Sequence, residues 1–177
     1  MEQRNPLSDV KGANMKTDKH PAPESHWFPY ETALGRLVLV SNGSALTALN
    51  FPYQPDPAGR RAASALTDEA ARQLAEYFAG KRRRFNLPLA PVGTAFQLAA
   101  WYALADIPYG ETRSYKQQAA AVGRPTATRA VGQANNKNPL SIILPCHRVI
   151  GSDGSLTGFG GGLDLKRRLL DLEQAAD

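Results

Sequence analysis

The hydrophobic pattern changes at Pro91-Val92-Gly93, and this change divides the chain into two parts. Before that point, short apolar runs flanked by turn residues are typical of β-strands and hairpins. After it, apolar residues recur at helical spacing and follow helix-start signals. We therefore predict an α+β protein of two domains, a small α/β domain over residues 27–91 and a mostly helical domain over residues 92–177.

Residues 1–26 are polar, contain several prolines and show no periodicity, so we predict a disordered tail. They lack the apolar core of a signal peptide, and no stretch of the chain approaches the ~20 apolar residues of a membrane span. A single cysteine cannot form an internal disulfide, which fits a reducing compartment. We expect a protein without membrane partners, cytoplasmic in a bacterium and nuclear in a eukaryote.

The composition also bears on metal chemistry, because structural zinc sites use four ligands from Cys and His. The chain has one Cys and three His. His20 and His26 lie in a polar, proline-containing segment and are interpreted as solvated residues, whereas His147 adjoins the cysteine. We expect no metal and no small-molecule cofactor.

The N-terminal domain is predicted to contain a hairpin, a helix and an edge strand. The pattern is β over residues 27–51, and Asn42-Gly43 is a strong hairpin signal because its turn positions favour positive φ. Apolar residues at helical spacing predict a helix over 67–79. Residues 85–89 alternate like a strand, and Pro88 places that strand at a sheet edge.

The C-terminal domain shows two capping boxes, each a helix-start signal. They pair Thr94 with Gln97 and Ser114 with Gln117, and a further helix is predicted over residues 126–136. Two short helices around a glycine-containing turn fit a helix-turn-helix, and an ordinary helical hairpin fits equally well. Small residues expected on the inner face of this pair are Ala119, Ala120, Ala130 and Ala134.

Residues 151–162 form a glycine-rich loop before a last amphipathic helix that ends near Glu173. Such loops often cradle phosphate, but this one lacks the Lys-Ser/Thr ending of a P-loop. Close approach of the backbone to a flat ligand explains the glycines equally well.

Positive charge is concentrated in residues 111–148, which hold six Lys or Arg against one Glu, a net charge of +5. The formal net charge of the whole chain is also +5, so the remainder is neutral. This excess favours a polyanionic partner, although a solvated surface is the ordinary alternative. The basic run 81–84 is interpreted as a solvated edge.

Cys146 follows the apolar run 140–144, which we predict to be a short buried strand. A thiolate needs a base, and the base needs an orienting group; His147 and Glu173 are the candidates. In an extended segment the Cys146 and His147 side chains point to opposite faces, so their contact requires a turn or a bridging water. The alternative is a structural cysteine, because buried free thiols are common.

Two further side chains are candidate site residues. Asn138, just before a proline, is expected to bond nearby backbone and hold the segment that follows. Tyr115 follows the Ser114 cap and is a candidate proton donor to a ligand, or else an amphipathic core ring.

From Gly93 to Glu173 the sequence resembles the O6-alkylguanine-DNA alkyltransferases, also called methylated-DNA–protein-cysteine methyltransferases. Over residues 27–91 the similarity is loose and rests on the order of hairpin, helix and strand. The matching motifs occur in order and are specific as a set: Gly93-Thr94 with Phe96-Gln97, Ile107-Pro108, Ser114-Tyr115, Arg129-Ala130-Val131-Gly132, Asn138-Pro139, Pro145 to Val149, and Gly161-Gly162-Leu163 with Lys166.

The resemblance implies a ribonuclease H-like N-terminal domain and a winged-helix-like C-terminal domain that carries the helix-turn-helix. It also implies the roles of five residues. Cys146 accepts the alkyl group, and His147 takes its proton through water while Glu173 orients the histidine. Asn138 supports the active-site turn, and Tyr115 donates toward the guanine as the alkyl group leaves.

The resemblance further implies how DNA is bound. Arg129 enters the base stack and replaces a flipped-out nucleotide, and a recognition helix lies in the minor groove. The groove-facing residues of that helix are Ala127, Thr128, Ala130 and Ala134.

The base pocket is implied to involve the backbone of Cys146, Val149 and Gly160. The carbonyls of Cys146 and Val149 accept from the guanine amino group, and Gly160 approaches the alkylated oxygen. Phe159 stands where the family usually has a tyrosine. Its ring can still stack on the base, but the hydroxyl that could form a hydrogen bond with the base is lost.

The resulting expectation is a monomeric, single-turnover suicide enzyme that repairs O6-alkylguanine in double-stranded DNA, with O4-alkylthymine as the less favoured substrate. Three alternatives remain at this point: a non-catalytic lesion binder, a transcription regulator built on the helix-turn-helix, and a cysteine hydrolase.

Overall fold

A computed structural model describes residues 25–175. The predicted disordered tail lies outside the described residues, except for its last two. His26 belongs to the first strand rather than to a tail. Within residues 25–175, no helix has both the length and the apolar composition that crossing a bilayer requires.

The N-terminal part is built on a four-stranded sheet. Its strands are β1 (His26–Thr32), β2 (Gly35–Ser41), β3 (Leu46–Asn50) and β4 (Arg60–Arg61), in the spatial order β3-β2-β1-β4. The first three strands pair antiparallel, and β4 pairs parallel to β1.

The apolar run of β2 is buried on both faces of the sheet. Leu37 and Leu39 belong to the main core, while Val38 and Val40 form a small second cluster with Trp27. This division follows from the two-residue period of a strand, which sends successive side chains to opposite faces.

The predicted hairpin at Asn42-Gly43 is confirmed between β2 and β3. The Asn42 side chain accepts hydrogen bonds from the backbone N–H groups of Ser44 and Ala45, at 3.1 and 2.9 Å. Gly43 has φ +92°, which a residue with a Cβ rarely adopts.

Helix α1 (Ala65–Phe78) packs on this sheet. It begins two residues before the predicted start, because Ser64 and Thr67 form a capping box that the periodicity did not indicate. The predicted strand over 85–89 is wrong. Only an isolated bridge joins Leu89 to Leu46, since Pro88 has no N–H to extend a ladder.

The C-terminal part contains α2 (Ala95–Tyr102), α3 (Tyr115–Ala121), α4 (Thr128–Asn136) and α5 (Leu163–Gln174). A 3-10 turn over Ala103–Asp106 follows α2, and β5 (Arg113–Ser114) pairs parallel with β6 (Val149–Ile150). Both predicted capping boxes are present at the starts of α2 and α3.

Buried amides join α3 to α4. Gln118 and Asn135 exchange two hydrogen bonds of 2.7 and 3.1 Å, and Gln118 Nε2 also donates to the Ala100 carbonyl of α2 at 2.9 Å. Trp101 Nε1 donates to the Ala134 carbonyl at 2.7 Å. The helix pair is therefore held at a defined angle on α2 by satisfied polar groups as well as by apolar contact.

The prediction for the inner face of this pair is half right. Ala119 and Ala134 are buried, but Ala120 and Ala130 are exposed. Ala120 follows Ala119 directly and is turned about 100° away around the helix axis, so both cannot face the same partner.

Residues 140–144 are buried as predicted, but they form a turn and not a strand. Leu144 N–H donates to the Leu140 carbonyl at 2.8 Å, and an isolated bridge joins Ser141 to Leu144. Ile142 adopts φ +76°, an uncommon and strained conformation for a β-branched residue. This turn brings the chain back on itself immediately before Cys146.

Candidate active site

Cys146 opens a 3-10 turn, Cys146–Arg148, and is only 2% exposed. Its Sγ lies 3.7 Å from the Ser141 hydroxyl. Burial raises the pKa of the Cys146 thiol, while hydrogen bonds from Asn138 and Ser141 and the charge of Lys166 act in the opposite direction. The site therefore contains the groups needed to favour the thiolate, but the free protein keeps the thiol protonated.

Asn138 holds the turn that precedes the thiol. Its Nδ2 donates to the Leu144 carbonyl at 2.7 Å, and its Oδ1 accepts from Leu140 N–H at 3.0 Å. The expected bonds to nearby backbone are thus present. The segment they hold is a turn because both bonds close a loop of six residues or fewer.

His147 and Glu173, 26 residues apart in sequence, meet in the protein interior. His147 Nε2 lies 2.8 Å from Glu173 Oε1, and the two residues are 0% and 1% exposed. Burial lowers the pKa of His147, although Glu173 opposes this shift, so the imidazole is neutral near pH 7. Among the described residues, His147 Nδ1 is buried without a hydrogen-bond partner.

Three further groups surround the Glu173 carboxylate, and none was predicted to do so. Arg148 binds it bidentately, with Nε and Nη2 each 2.9 Å from a carboxylate oxygen. The Tyr77 hydroxyl donates to Oε1 at 2.6 Å, and Gly110 N–H donates to Oε2 at 3.1 Å. Burial alone raises the pKa of Glu173, but His147 and Arg148 outweigh it and lower the pKa to about 2.

Tyr115 and Lys166 fasten the glycine-rich loop. The Tyr115 hydroxyl donates to the Thr157 carbonyl at 2.7 Å, and Lys166 Nζ donates to the carbonyls of Thr157 and Val149 at 2.8 and 2.6 Å. Lys166 is fully buried, which lowers its pKa to about 8. The Val149 carbonyl, expected to accept from a guanine, thus already accepts from Lys166 and keeps one lone pair for a ligand.

The N-terminal domain contacts the same loop at Phe159 and Gly160. The rings of Phe51 and Phe159 meet edge to face with centroids 6.1 Å apart, and Phe159 lies 6.5 Å from the His147 ring. The Tyr53 hydroxyl donates to the Gly160 carbonyl. Phe159 is buried and Gly160 is exposed.

A cavity of about 270 Å³ lies between the two domains next to this contact. Its lining includes Tyr53 and Gly160, together with Asn138 and Ser141, the neighbours of the thiol. The cavity therefore reaches the residues around Cys146 and the glycine-rich loop.

The residues expected to face DNA lie on α4 and just before it. Arg129 and Ala130 are exposed, and Ala127 and Thr128 are half-buried. The expectation for Ala134 is wrong. It is 3% exposed, its carbonyl accepts from the Trp101 indole, and it offers no surface to a DNA groove.

The residues that sequence reasoning missed gave weak signals or none. Arg148 could have been suspected, since a charged residue within a buried run requires a partner. Lys166 belongs to the last of the motifs shared with the alkyltransferases, but the resemblance implied no role for its side chain. Tyr77 and Tyr53 carried no signal, because their contacts depend on how the two domains meet. Ser141 carried none because its contact with Cys146 depends on the turn that replaces the predicted strand.

Two family models match the chain, and together they cover most of it. The model of the "6-O-methylguanine DNA methyltransferase, ribonuclease-like domain" matches residues 26–91, and that of the "6-O-methylguanine DNA methyltransferase, DNA binding domain" matches residues 95–175.

Proteins with similar sequences are named as methylated-DNA–protein-cysteine methyltransferases, and a similar solved structure contains DNA. A methylated-DNA–protein-cysteine methyltransferase of Methanosarcina barkeri is 51% identical over 148 residues, covering 81% of this chain and 94% of the relative. The constitutive enzyme of that name from Bacillus subtilis is 47% identical over 159 residues, covering 85% and 96%. A crystal structure of Mycobacterium tuberculosis OGT in complex with DNA superposes with a TM-score of 0.81 at 46% identity, covering 85% of this chain and 94% of that one.

Sequence similarity, domain content and fold all indicate the same family. The chain belongs to the family of methylated-DNA–protein-cysteine methyltransferases, DNA-binding proteins that repair DNA by transferring an alkyl group to a cysteine.

Proposed function

We propose that Cys146 removes the alkyl group from O6-alkylguanine in double-stranded DNA, once per protein molecule. The observation that carries this proposal is the position of the chain's only thiol, on a turn whose next residue is paired with a buried carboxylate. A thiol with a purely structural role needs no such pair beside it.

The proton of Cys146 leaves through His147. Glu173 accepts from Nε2–H and thereby places the free lone pair of the neutral imidazole on Nδ1. A water between Sγ and Nδ1 then carries the proton, and Glu173 stabilises the imidazolium that forms. The fixed Glu173 charge is maintained at neutral pH by Arg148.

Alkyl transfer forms an S–C bond and breaks the C–O6 bond of the lesion. The base leaves as ordinary guanine, so the thiol proton replaces the alkyl group on the base overall. Tyr115, released from Thr157 when a base enters, donates to the ring and balances the charge that develops there. Return of the thiol would require the cysteine sulfur to leave from the alkyl carbon, and the sulfur of a thioether is a poor leaving group at neutral pH, so the protein stays alkylated.

A base inside a duplex is out of reach of a buried thiol, so the lesion must be flipped out at a cost of a few kcal/mol. Arg129 is exposed at the second position of α4 and fills the space left in the base stack. The flipped base enters between the Cys146 turn and the glycine-rich loop, where Phe159 supplies an aromatic surface. Ala127, Thr128 and Ala130 allow close approach of the helix to the DNA.

The remaining expectations form part of the same proposal. We assign residues 27–91 and 92–177 to two domains, of which the second binds DNA through the positive segment 111–148. O4-alkylthymine is a poorer substrate, the protein acts as a monomer, and it works in a reducing compartment that keeps Cys146 a free thiol.

The test is a stoichiometry measurement with a duplex that carries O6-methylguanine labelled in its methyl group. The wild-type protein should take up one label per molecule and then stop, however much DNA is added. The Cys146→Ala variant, which removes the thiol from a site of similar size, should take up none. Label on that variant, or repeated turnover by the wild type, contradicts the proposal.

A further inference from the structure

The Ser141 hydroxyl contacts the reactive sulfur, which the Asn138 side chain also approaches. Ser141 Oγ lies 3.7 Å from Cys146 Sγ, and it also donates to the Asn138 carbonyl at 3.3 Å. Ser141 lines the cavity beside Gly160 but is only 4% exposed, so its contacts lie largely out of bulk water.

The backbone holds Ser141 in this position. The bridge to Leu144 and the positive φ of Ile142 fold the segment so that Ser141 approaches a residue five positions later. A β-branched residue at positive φ is unfavourable and persists only where the surroundings impose it. Such strained positions cluster at functional sites, and here the strained residue lies between Ser141 and the thiol.

We propose that Ser141 is a catalytic residue, whose hydroxyl turns from the Asn138 carbonyl toward Cys146 and donates to the sulfur as the thiolate forms. A hydroxyl has one proton and two acceptor lone pairs, and it rotates to suit its partners. While Cys146 is a thiol, its S–H donates to Ser141 Oγ and the serine proton stays on Asn138. The inference rests on the proposed role of Cys146 as the alkyl acceptor.

The other hydrogen-bond donors near the sulfur are less able to reorient when the thiolate forms. Asn138 Nδ2 donates one N–H to the Leu144 carbonyl and the other toward the sulfur, so its arrangement is already fixed, and Lys166 is held by the carbonyls of Val149 and Thr157. The titratable groups facing the thiol are Lys166 from α5 and Tyr115 from α3, with His147 next to it in the turn. Ser141 is neutral, so it stabilises the thiolate by hydrogen bonding without a titration of its own.

The effect depends on pH in a way that a structural role does not. Loss of one hydrogen bond to a charged group should raise the pKa of Cys146 by about one unit. At pH 7 the thiolate fraction then falls about tenfold, and the greater nucleophilicity of a more basic thiolate recovers roughly half of this on a logarithmic scale. The net result is transfer about threefold slower at pH 7, and equal or faster above the pKa of the thiol.

Three variants at position 141 distinguish the effect of the hydroxyl group from the effect of side-chain size. Ser141→Ala and Ser141→Val remove the hydroxyl, and Ser141→Thr keeps it at the size of valine. Ser44→Ala, on the exposed Asn42 turn, is the control for an unrelated serine. Each folded variant is measured for single-turnover methyl transfer across pH, and for the ultraviolet absorbance of its thiolate with Cys146→Ser as the blank.

We expect Ala and Val to shift both titrations upward by about one unit, and Thr and the Ser44 control to match the wild type. An unchanged thiol pKa in Ala and Val, or a rate loss of the same factor at every pH, overturns the inference. Because the absorbance titration needs no DNA, it tests Ser141 even if methyl transfer to Cys146 is not observed. Failure of the wild type to take up methyl would count against the proposed function alone.

Discussion

His147 Nε2 and Glu173 Oε1 are 2.8 Å apart in the buried interior, and this pair determines which ring nitrogen of the imidazole can act as a base. With the carboxylate ionised, the proton of the neutral ring resides on Nε2. The ring nitrogen left with a lone pair is Nδ1, which is buried without another partner among residues 25–175. Substitutions at Glu173 should therefore affect proton transfer through the histidine tautomer.

Glu173→Gln should slow methyl transfer by roughly 10²–10⁴-fold, because a neutral amide stabilises neither the required tautomer nor the imidazolium. Single-turnover transfer from a lesion duplex measures the effect. Glu69→Gln, on the exposed face of α1, is the matched control and should transfer at the wild-type rate. A Glu173→Gln rate within twofold of the wild type would show that the carboxylate has no part in the chemistry.

The same substitution should reduce stability by about 3–5 kcal/mol, because Arg148 is left with an uncompensated buried charge. Urea unfolding at pH 7 measures this difference. The double variant Glu173→Gln with Arg148→Met should recover part of the loss, since it removes the second charge as well. A single variant as stable as the wild type would mean that Arg148 finds another partner.

Acid should destabilise the wild type through Glu173 in a defined window. Its pKa is about 2 in the folded protein against 4.5 for the ordinary group, so the folded state binds fewer protons between these values. The stabilisation is complete above about pH 4.5 and is lost as the pH falls toward 2, with a total of about 3 kcal/mol. Denaturant unfolding at several pH values should show this slope in the wild type and a smaller one in Glu173→Gln.

Arg129→Ala should separate base flipping from chemistry. We expect transfer from a lesion duplex to slow by at least about tenfold, and transfer from the free base O6-benzylguanine to change by less than about twofold, since a few kcal/mol of unstacking applies only to the duplex. Arg124→Ala removes the same charge from the exposed turn before α4 and should weaken duplex transfer only in low salt. Equal losses on both substrates would contradict the role of Arg129.

Tyr53→Phe should loosen the glycine-rich loop by deleting the hydrogen bond to the Gly160 carbonyl. One neutral hydrogen bond contributes about 1 kcal/mol, which corresponds to roughly fivefold faster local opening. Hydrogen exchange of the backbone amides over 158–162 measures the change. Tyr102→Phe, at another exposed tyrosine, is the control, and unchanged exchange in Tyr53→Phe would show that the contact does not hold the loop.

Local signals in the sequence predicted much of the fold. The capping boxes at Thr94 and Ser114 and the hairpin at Asn42-Gly43 depend on residues within a few positions of each other, and all three are present. The same local reasoning placed a strand over 140–144, because a run of apolar residues is compatible with any buried conformation. The two hydrogen bonds of Asn138 turn that run back on itself.

The candidate site was only partly predictable for a related reason. Cys146 and His147 are adjacent, and Glu173 was a candidate that only folding could bring to the histidine, with its orienting role implied by the family resemblance. Tyr77, by contrast, reaches Glu173 across 96 positions and from the other domain. Its helical spacing indicated only a buried ring, and the hydroxyl contact follows from the packing of α1 against the C-terminal domain.

The central claim is that the sulfur atom of Cys146 accepts the alkyl group. The most direct measurement is the mass of the intact protein, followed by peptide mapping, after one exposure to a duplex containing O6-methylguanine. We predict a gain of one CH₂ group per molecule, located on Cys146, with unmodified guanine recovered in the DNA. An unchanged mass alongside repaired DNA, or a methyl group on any other residue, would contradict the account.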